Sequence, residues 1–200
     1  MNVVIIKYNA GNIFSVDYAL RRLGVNAEIT GDIEKIQKAD KVIFPGVGEA
    51  ETTMKYLKEH SLDKVIKSLR QPTLGICIGM QLMCQSSEEA ANGKVECLGI
   101  FDEEVKRFIP NAQINKVPHM GWNTIHDLKS TLFEGLPDNP YFYYVHSYYA
   151  TKGIDTVATT DYMHPYSAAL QKDNFYAVQF HPEKSGSMGE IILKNFLNLC

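Results

Sequence analysis

The stretch Thr73-Leu74-Gly75-Ile76-Cys77-Ile78-Gly79-Met80-Gln81 decides the reading of this chain. Thr73 to Ile76 is a short apolar run released by Pro72 and reads as a buried strand; beyond Cys77 the pattern turns helical. The cysteine between them has a glycine two residues to either side. Such a turn is a nucleophile elbow, in which the chain reverses within a residue or two and the central residue takes a strained backbone conformation that small neighbours permit. The first turn of the following helix points free N–H groups at the sulfur, where they favour the reactive thiolate form. The competing reading of Cys77 is a small buried hydrophobe, the usual fate of an intracellular cysteine. On the elbow alone the two readings stand level.

Upstream, strands alternate with helices. Asn2 to Lys7 is a β-branched run, after which Ile13, Val16, Ala19, Leu20 and Leu23 recur at helical spacing until Gly24. Val25 to Thr30 and Lys41 to Phe44 read as further strands, the latter ending in Pro45-Gly46-Val47-Gly48. Met54, Leu57, Leu62, Val65, Ile66 and Leu69 then give a broken helical period. Alternation of this kind implies a parallel sheet covered on both faces. From Val95 the pattern shifts to short strands: Tyr141 to Val145, Thr156 to Thr160, Ser167 to Gln171 and Phe175 to Phe180. Lys172-Asp173-Asn174 suits a hairpin turn, and Met188, Ile191, Ile192, Phe196 and Leu199 form a closing amphipathic helix. The fold class is therefore α/β: an open, mostly parallel twisted sheet flanked by helices, with an antiparallel extension. No Gly-, Ser- or Pro-rich linker divides the chain, so residues 1–200 are expected to form a single domain.

Composition narrows the chemistry. The chain has 200 residues, 45% of them hydrophobic, and a net charge of -3 with both signs interspersed. That is enough for one core, and it offers no broad basic surface for nucleic acid or membrane. The expected partner is a small molecule or a protein. No apolar run approaches the roughly 20 residues that span a bilayer, and the amino-terminal strand lacks the flanks of a signal peptide, so a cytoplasmic location is expected. The four cysteines, Cys77, Cys84, Cys97 and Cys200, form no CxxC pair and no zinc spacing. Cys77 and Cys84 would lie about 10 Å apart along a helix, beyond disulfide reach. Reduced thiols and no metal are expected.

In an open parallel sheet, ligands bind beyond the carboxyl ends of the strands. Asn9 to Asn12, Pro45 to Gly48, Cys77, His146 and His181 each follow a strand, so one edge collects the unusual residues. A cysteine nucleophile needs a base. Of the six histidines, His181 is trailed by Pro182-Glu183, and in extended backbone the His181 and Glu183 side chains emerge on one side. The carboxylate can then hold the imidazole in one tautomer and stabilise its charged form. An arbitrary His-Pro-Glu string is more often a strand end, but joined to the elbow it reads as base and orienter. His146 has no carboxylate near it in sequence and is assigned to a pocket wall; His60, His119, His126 and His164 sit in helical or loop contexts and read as surface or structural. Attack on an amide carbonyl also requires donors for the developing oxyanion. Ile78 N–H at the elbow supplies one, and Pro45-Gly46-Val47-Gly48, otherwise a tight turn, is the natural source of a second.

Gly75-Ile76-Cys77-Ile78-Gly79-Met80-Gln81 together with Gln179-Phe180-His181-Pro182-Glu183 resembles the class I glutamine amidotransferases. Pro45-Gly46-Val47-Gly48, Gly11-Asn12, Lys116-Val117-Pro118-His119-Met120-Gly121-Trp122-Asn123 and His181-Pro182-Glu183-Lys184-Ser185 narrow the resemblance to the glutaminase subunits of imidazole glycerol phosphate synthases, in order along the whole chain. Departures are confined to loops: Lys7-Tyr8-Asn9-Ala10-Gly11-Asn12 replaces the usual Asp-Tyr-Gly-x-Gly-Asn, and Glu49-Ala50-Glu51 follows the glycine strand where Ala-Phe is common.

The resemblance implies hydrolysis of L-glutamine with no cofactor. Cys77 is then the nucleophile, His181 the proton carrier and Glu183 its orienter. It further implies that Gly46, Val47, Gly48, Ile78, Gln81, Ser147 and Tyr148 hold glutamine or its oxyanion. Asn12, Trp122, Tyr143 and Lys184 match positions at the interface with a (β/α)₈-barrel cyclase subunit, in a heterodimer. A glutaminase serving pyridoxal phosphate or anthranilate synthesis, or a non-catalytic scaffold of the same fold, are the alternatives. An α/β-hydrolase is disfavoured because it orders its triad nucleophile, acid, histidine, and here the histidine precedes the acid.

Overall fold

The computed structural model describes residues 1–8, 11–110 and 116–200. Asn9 and Ala10, part of the loop expected to follow the first strand, fall outside that range. Among the described residues, thirteen strands and six α-helices follow in chain order. The first half contributes β1 (Val3–Ile6), α1 (Ile13–Arg22), β2 (Glu28–Thr30), α2 (Ile33–Lys38), β3 (Lys41–Phe44), α3 (Ala50–Glu59), α4 (Leu62–Ser68), β4 (Thr73–Ile76) and α5 (Ile78–Met83). The second half adds β5 (Ser86–Ser87), β6 (Val95–Glu96), β7 (Glu104–Arg107), β8 (His119–Thr124), β9 (Tyr141–His146), β10 (Tyr148–Ala150), β11 (Thr156–Asp161), β12 (Pro165–Lys172), β13 (Phe175–Val178) and α6 (Gly186–Asn198).

The main sheet has seven strands in the order β11-β12-β13-β4-β3-β1-β2. The pairings from β2 through β13 are parallel, and β12 and β11 add the antiparallel edge. All four residues of β1, β3 and β4 are buried, as strands covered by helices on both faces must be. The broken helical period upstream of Pro72 is two helices, α3 and α4, parted where Ser61 takes a left-handed φ of 57°.

The second half departs from expectation in one respect. Tyr141 to Val145 is a strand, but β9 pairs with β8 in a separate ribbon, with Trp122 opposite Tyr143 and His119 opposite His146. A third, four-stranded sheet, β10-β7-β5-β6, is built from segments as short as two residues, too short to show a period in sequence. His119 thus opens a strand and is buried, where its sequence context suggested helix or loop. No helix among the described residues is long and apolar enough to cross a membrane.

Because β13, β4 and β3 are neighbours and parallel, their carboxyl ends deliver Gln179 to His181, Cys77 and Pro45 to Gly48 to one short stretch of sheet edge, with Tyr8 arriving from β1 next door.

Candidate active site

Cys77 occupies the elbow with φ 54° and ψ -111°, a region an L-residue enters only when its surroundings over-determine it. Its amide still donates to the Val178 carbonyl at 2.8 Å, so β4 is held in register up to Cys77. The flanking glycines have a steric reason, absolute at Gly79 and tight at Gly75. A Cβ on Gly79 would lie 2.0 Å from the Phe44 carbonyl oxygen, and one on Gly75 would press within 3.0 Å of the Gly79–Met80 backbone. The helix can therefore start directly above β3 and β4 only without side chains there.

His181 is fully buried, and its Nδ1 lies 2.8 Å from Glu183 Oε1. Since the carboxylate accepts, Nδ1 carries the proton and Nε2 is the ring nitrogen left without a protein partner. Nε2 is sealed from solvent and makes no hydrogen bond. Burial disfavours charge on this ring, but a Cys77 thiolate close by and the Glu183 carboxylate more than offset it, raising His181 from 6.5 to about 10. At neutral pH the charged form of this ring is therefore favoured. The same Glu183 oxygen takes a second hydrogen bond, from Asn12 Nδ2 at 2.6 Å. Asn12, assigned above to the partner interface, thus also braces the carboxylate. Ser185 clamps the turn, donating its hydroxyl to the His181 carbonyl and accepting from Tyr143 N–H.

A cavity of about 250 Å³ opens over the sulfur. Of the residues predicted to hold substrate, Val47, Gly48, Ile78, Gln81, Ser147 and Tyr148 line it together with Cys77, and His146 forms part of its wall as expected. Gly46 sits behind the wall. A Cβ there would lie 1.9 Å from the Tyr8 hydroxyl and 2.3 Å from Ile78 Cγ2. The Tyr8 hydroxyl in turn donates to the Pro45 carbonyl, fixing the entry to the glycine strand.

Sequence reasoning missed Glu89, which also lines the cavity and accepts from Ala50 N–H at 2.9 Å. Burial raises its pKa and the hydrogen bond from Ala50 partly opposes this. Nothing local marks it; an acidic residue in an irregular segment reaches the site only through the pairing of β5 with β6 and β7. Among the described residues no cluster suited to a metal ion occurs. Of the interface candidates, Trp122 and Lys184 are exposed, while Tyr143 is half-buried against the Trp122 ring.

Below the cavity lies a buried cluster. His119 Nδ1 is 3.2 Å from His146 Nε2 and 3.1 Å from the Tyr166 hydroxyl, and His146 Nδ1 is 2.7 Å from the Tyr148 carbonyl. Burial lowers His119 to about 4; burial, with the charges of His119 and His181, lowers His146 to about 3 although the Tyr148 carbonyl opposes this. Unfolded, both rings titrate near 6.5. The stability they contribute as neutral groups is complete above that value and is lost as pH falls through it toward the folded values. Thermal melts should show the midpoint dropping by about ten degrees or more between neutral pH and pH ~4. His119→Gln should flatten that slope; an unchanged slope would show that other groups cause it.

Comparison with known proteins gives the family and the fold. Residues 4–199 match the family model for glutamine amidotransferase class-I. The chain is 66% identical over 199 residues to imidazole glycerol phosphate synthase subunit HisH of Bacteroides fragilis, covering all of both chains. It is 47% identical to the protein of that name from Pasteurella multocida, covering 98% and 97%. A solved glutamine amidotransferase superposes with a TM-score of 0.73 at 20% identity, over 99% of this chain and 98% of the other, which speaks for the fold. The chain belongs to the class I glutamine amidotransferases and, within them, to the family of imidazole glycerol phosphate synthase subunit HisH.

Proposed function

We propose that this chain is the glutaminase subunit of an imidazole glycerol phosphate synthase, working in the cytoplasm in histidine biosynthesis. One glutaminase domain spanning residues 1–200 hydrolyses L-glutamine to glutamate and ammonia. The observation that carries the proposal is Cys77 on its elbow, lining a cavity and backed by the buried His181–Glu183 pair, in a chain two-thirds identical to its bacterial relative.

The chemistry follows from the atoms. The Cys77 sulfur attacks the side-chain amide carbonyl, and the oxygen's developing charge is met by Ile78 N–H and the strand Gly46-Val47-Gly48. His181 Nε2 protonates the departing ammonia, leaving a thioester on Cys77. The now neutral imidazole takes a proton from water, the resulting hydroxide expels the sulfur, and Glu183 steadies the ring throughout. For binding, both hydrogens of Gln81 Nε2 are committed to protein acceptors, so its carbonyl oxygen is what it offers the cavity. Glu89 keeps one carboxylate oxygen free of the Ala50 bond. These two acceptors suit the α-ammonium of glutamine, with Ser147 and Tyr148 lining the same cavity.

Ammonia is mostly protonated in neutral water, and in that form it is no nucleophile, so it must be passed on directly. The receiver is a cyclase subunit with a (β/α)₈ barrel, paired with this chain as a heterodimer. Asn12, Tyr143 and Lys184 lie at the His181–Glu183 turn, Trp122 packs edge-on against Tyr143, and exposed Met120 and Tyr141 extend the apolar face on the same ribbon. A flip of the Gly46–Val47 peptide is the element by which the partner's ligand switches the oxyanion site. Glutamate release should be weak from the isolated chain and rise by about a hundredfold or more when cyclase and its nucleotide substrate are added. Stimulation by a pyridoxal phosphate or anthranilate synthase subunit instead would reassign the pathway, and silence with every partner would make the chain a scaffold.

A further inference from the structure

A backbone carbonyl can only accept, and this simple fact orients a chain of side-chain amides that ends at the nucleophile. The Tyr148 carbonyl faces a Gln81 side-chain atom at 2.8 Å, so that atom is Nε2. The second hydrogen of Nε2 goes to Gln179, also at 2.8 Å, so the atom there is the acceptor Oε1. The remaining terminal atom of Gln179 is then its nitrogen, and it lies 3.7 Å from the Cys77 sulfur. No alternative flip satisfies all three contacts. Gln179 is entirely buried, its amide N–H is pinned to the Ala168 carbonyl at 2.8 Å, and it leaves the sheet two residues before His181.

We propose that Gln179 is a catalytic residue of glutamine hydrolysis: its side-chain N–H donates to the Cys77 sulfur and stabilises the thiolate. This rests on the reading of Cys77 as the nucleophile. The donor acts twice in the cycle. Before attack it holds negative charge on sulfur; as the S–C bond forms and the C–N bond to ammonia breaks, that charge leaves the sulfur and the contact weakens. In deacylation the oxygen of water forms the new C–O bond, the C–S bond breaks, and its electron pair returns to sulfur directly in front of the Gln179 N–H. A hydrogen bond that is strong in the free thiolate and weak in the thioester therefore assists departure of the sulfur. Because Gln81 lines the cavity and orients Gln179, the same chain ties occupancy of the pocket to the state of the sulfur.

The test is the rate at which iodoacetamide alkylates Cys77, read by peptide mass spectrometry in wild type, Gln179→Met and Gln179→Glu. Methionine keeps the length without a donor; glutamate keeps the shape and replaces the donor with oxygen. The ionisable groups facing the sulfur are His181, Tyr8 and Tyr166, with Glu89 across the cavity. Burial raises both phenols well above their usual range, so near neutrality the profile reads the Cys77–His181 pair. The Met variant should react about tenfold more slowly at neutral pH, with its profile displaced to higher pH, and the Glu variant more slowly still. A Met variant that matches wild type overturns the proposal. Wild-type Cys77 no faster than an ordinary cysteine would overturn the nucleophile reading itself. Should the variants fold poorly, the side-chain amide proton resonances of Gln179 in the intact chain decide: they must shift in Cys77→Ala, and an unmoved signal sinks the idea.

Discussion

Cys77→Ala reduces glutamate release to background, a loss of about 10⁴-fold or more, even with cyclase and nucleotide present. The other thiols cannot substitute. Burial pushes Cys84 well up, with the charges of Glu103, Cys97 and Asp155 adding to it, and burial pushes Cys97 up to about 12. Both are thereby held as neutral thiols, and Cys200 lies at the far end of α6 with its thiol also raised by burial. Cys84→Ala and Cys200→Ala should keep the ligand-stimulated rate within about twofold of wild type. The decisive assay is enzymatic determination of glutamate, alongside isothermal titration of Cys77→Ser with glutamine to show that the cavity still binds. Appreciable turnover by Cys77→Ala would transfer the chemistry to another residue and end the triad proposal.

Gly46→Ala is the second large effect. The new methyl group would be driven between the Tyr8 hydroxyl and Ile78 Cγ2, both far inside contact distance, and neither neighbour is the loose end of a flexible surface chain. The glycine strand must move away from the sulfur, withdrawing one oxyanion donor and obstructing the flip. The stimulated rate should fall by about 10²- to 10³-fold, while glutamine affinity and the melting temperature change much less. A built-in control exists: Tyr8→Phe removes the atom of closest clash, so the double variant Tyr8→Phe/Gly46→Ala should recover part of the activity. Full stimulation in Gly46→Ala would show that this strand neither donates to the oxyanion nor switches it.

How much of this was legible in the sequence depends on how local each signal is. The elbow writes itself in consecutive residues, because the close approach of α5 to β3 and β4 excludes a Cβ at Gly79 and crowds one at Gly75. His181 and Glu183 are likewise local, two residues apart on a strand exit. The parallel strands announce themselves as short apolar runs between helical periods. The small sheet β10-β7-β5-β6 has no such signature, and Glu89 is invisible without it. His119 reads as loop because the strand it opens contains Gly121 with φ 133° and pairs with a segment beginning some twenty residues later. The role of Gln179 lies within a quoted motif, yet which of its atoms faces the sulfur follows only from the Tyr148 carbonyl. Asn12 shows the complementary limit. The resemblance placed it at an interface, and its bond to Glu183 adds a second duty that no one-dimensional pattern encodes.

The position of β13 between β12 and β4 has a consequence for synthesis on the ribosome. The strand leading to Cys77 emerges about a hundred residues before the strand that must be inserted beside it to deliver His181. Until that late segment clears the exit tunnel, the nascent chain holds a thiol without its proton carrier. If Cys77 and His181 act as proposed, an unfinished polypeptide should leave cellular glutamine untouched until β13 is in place.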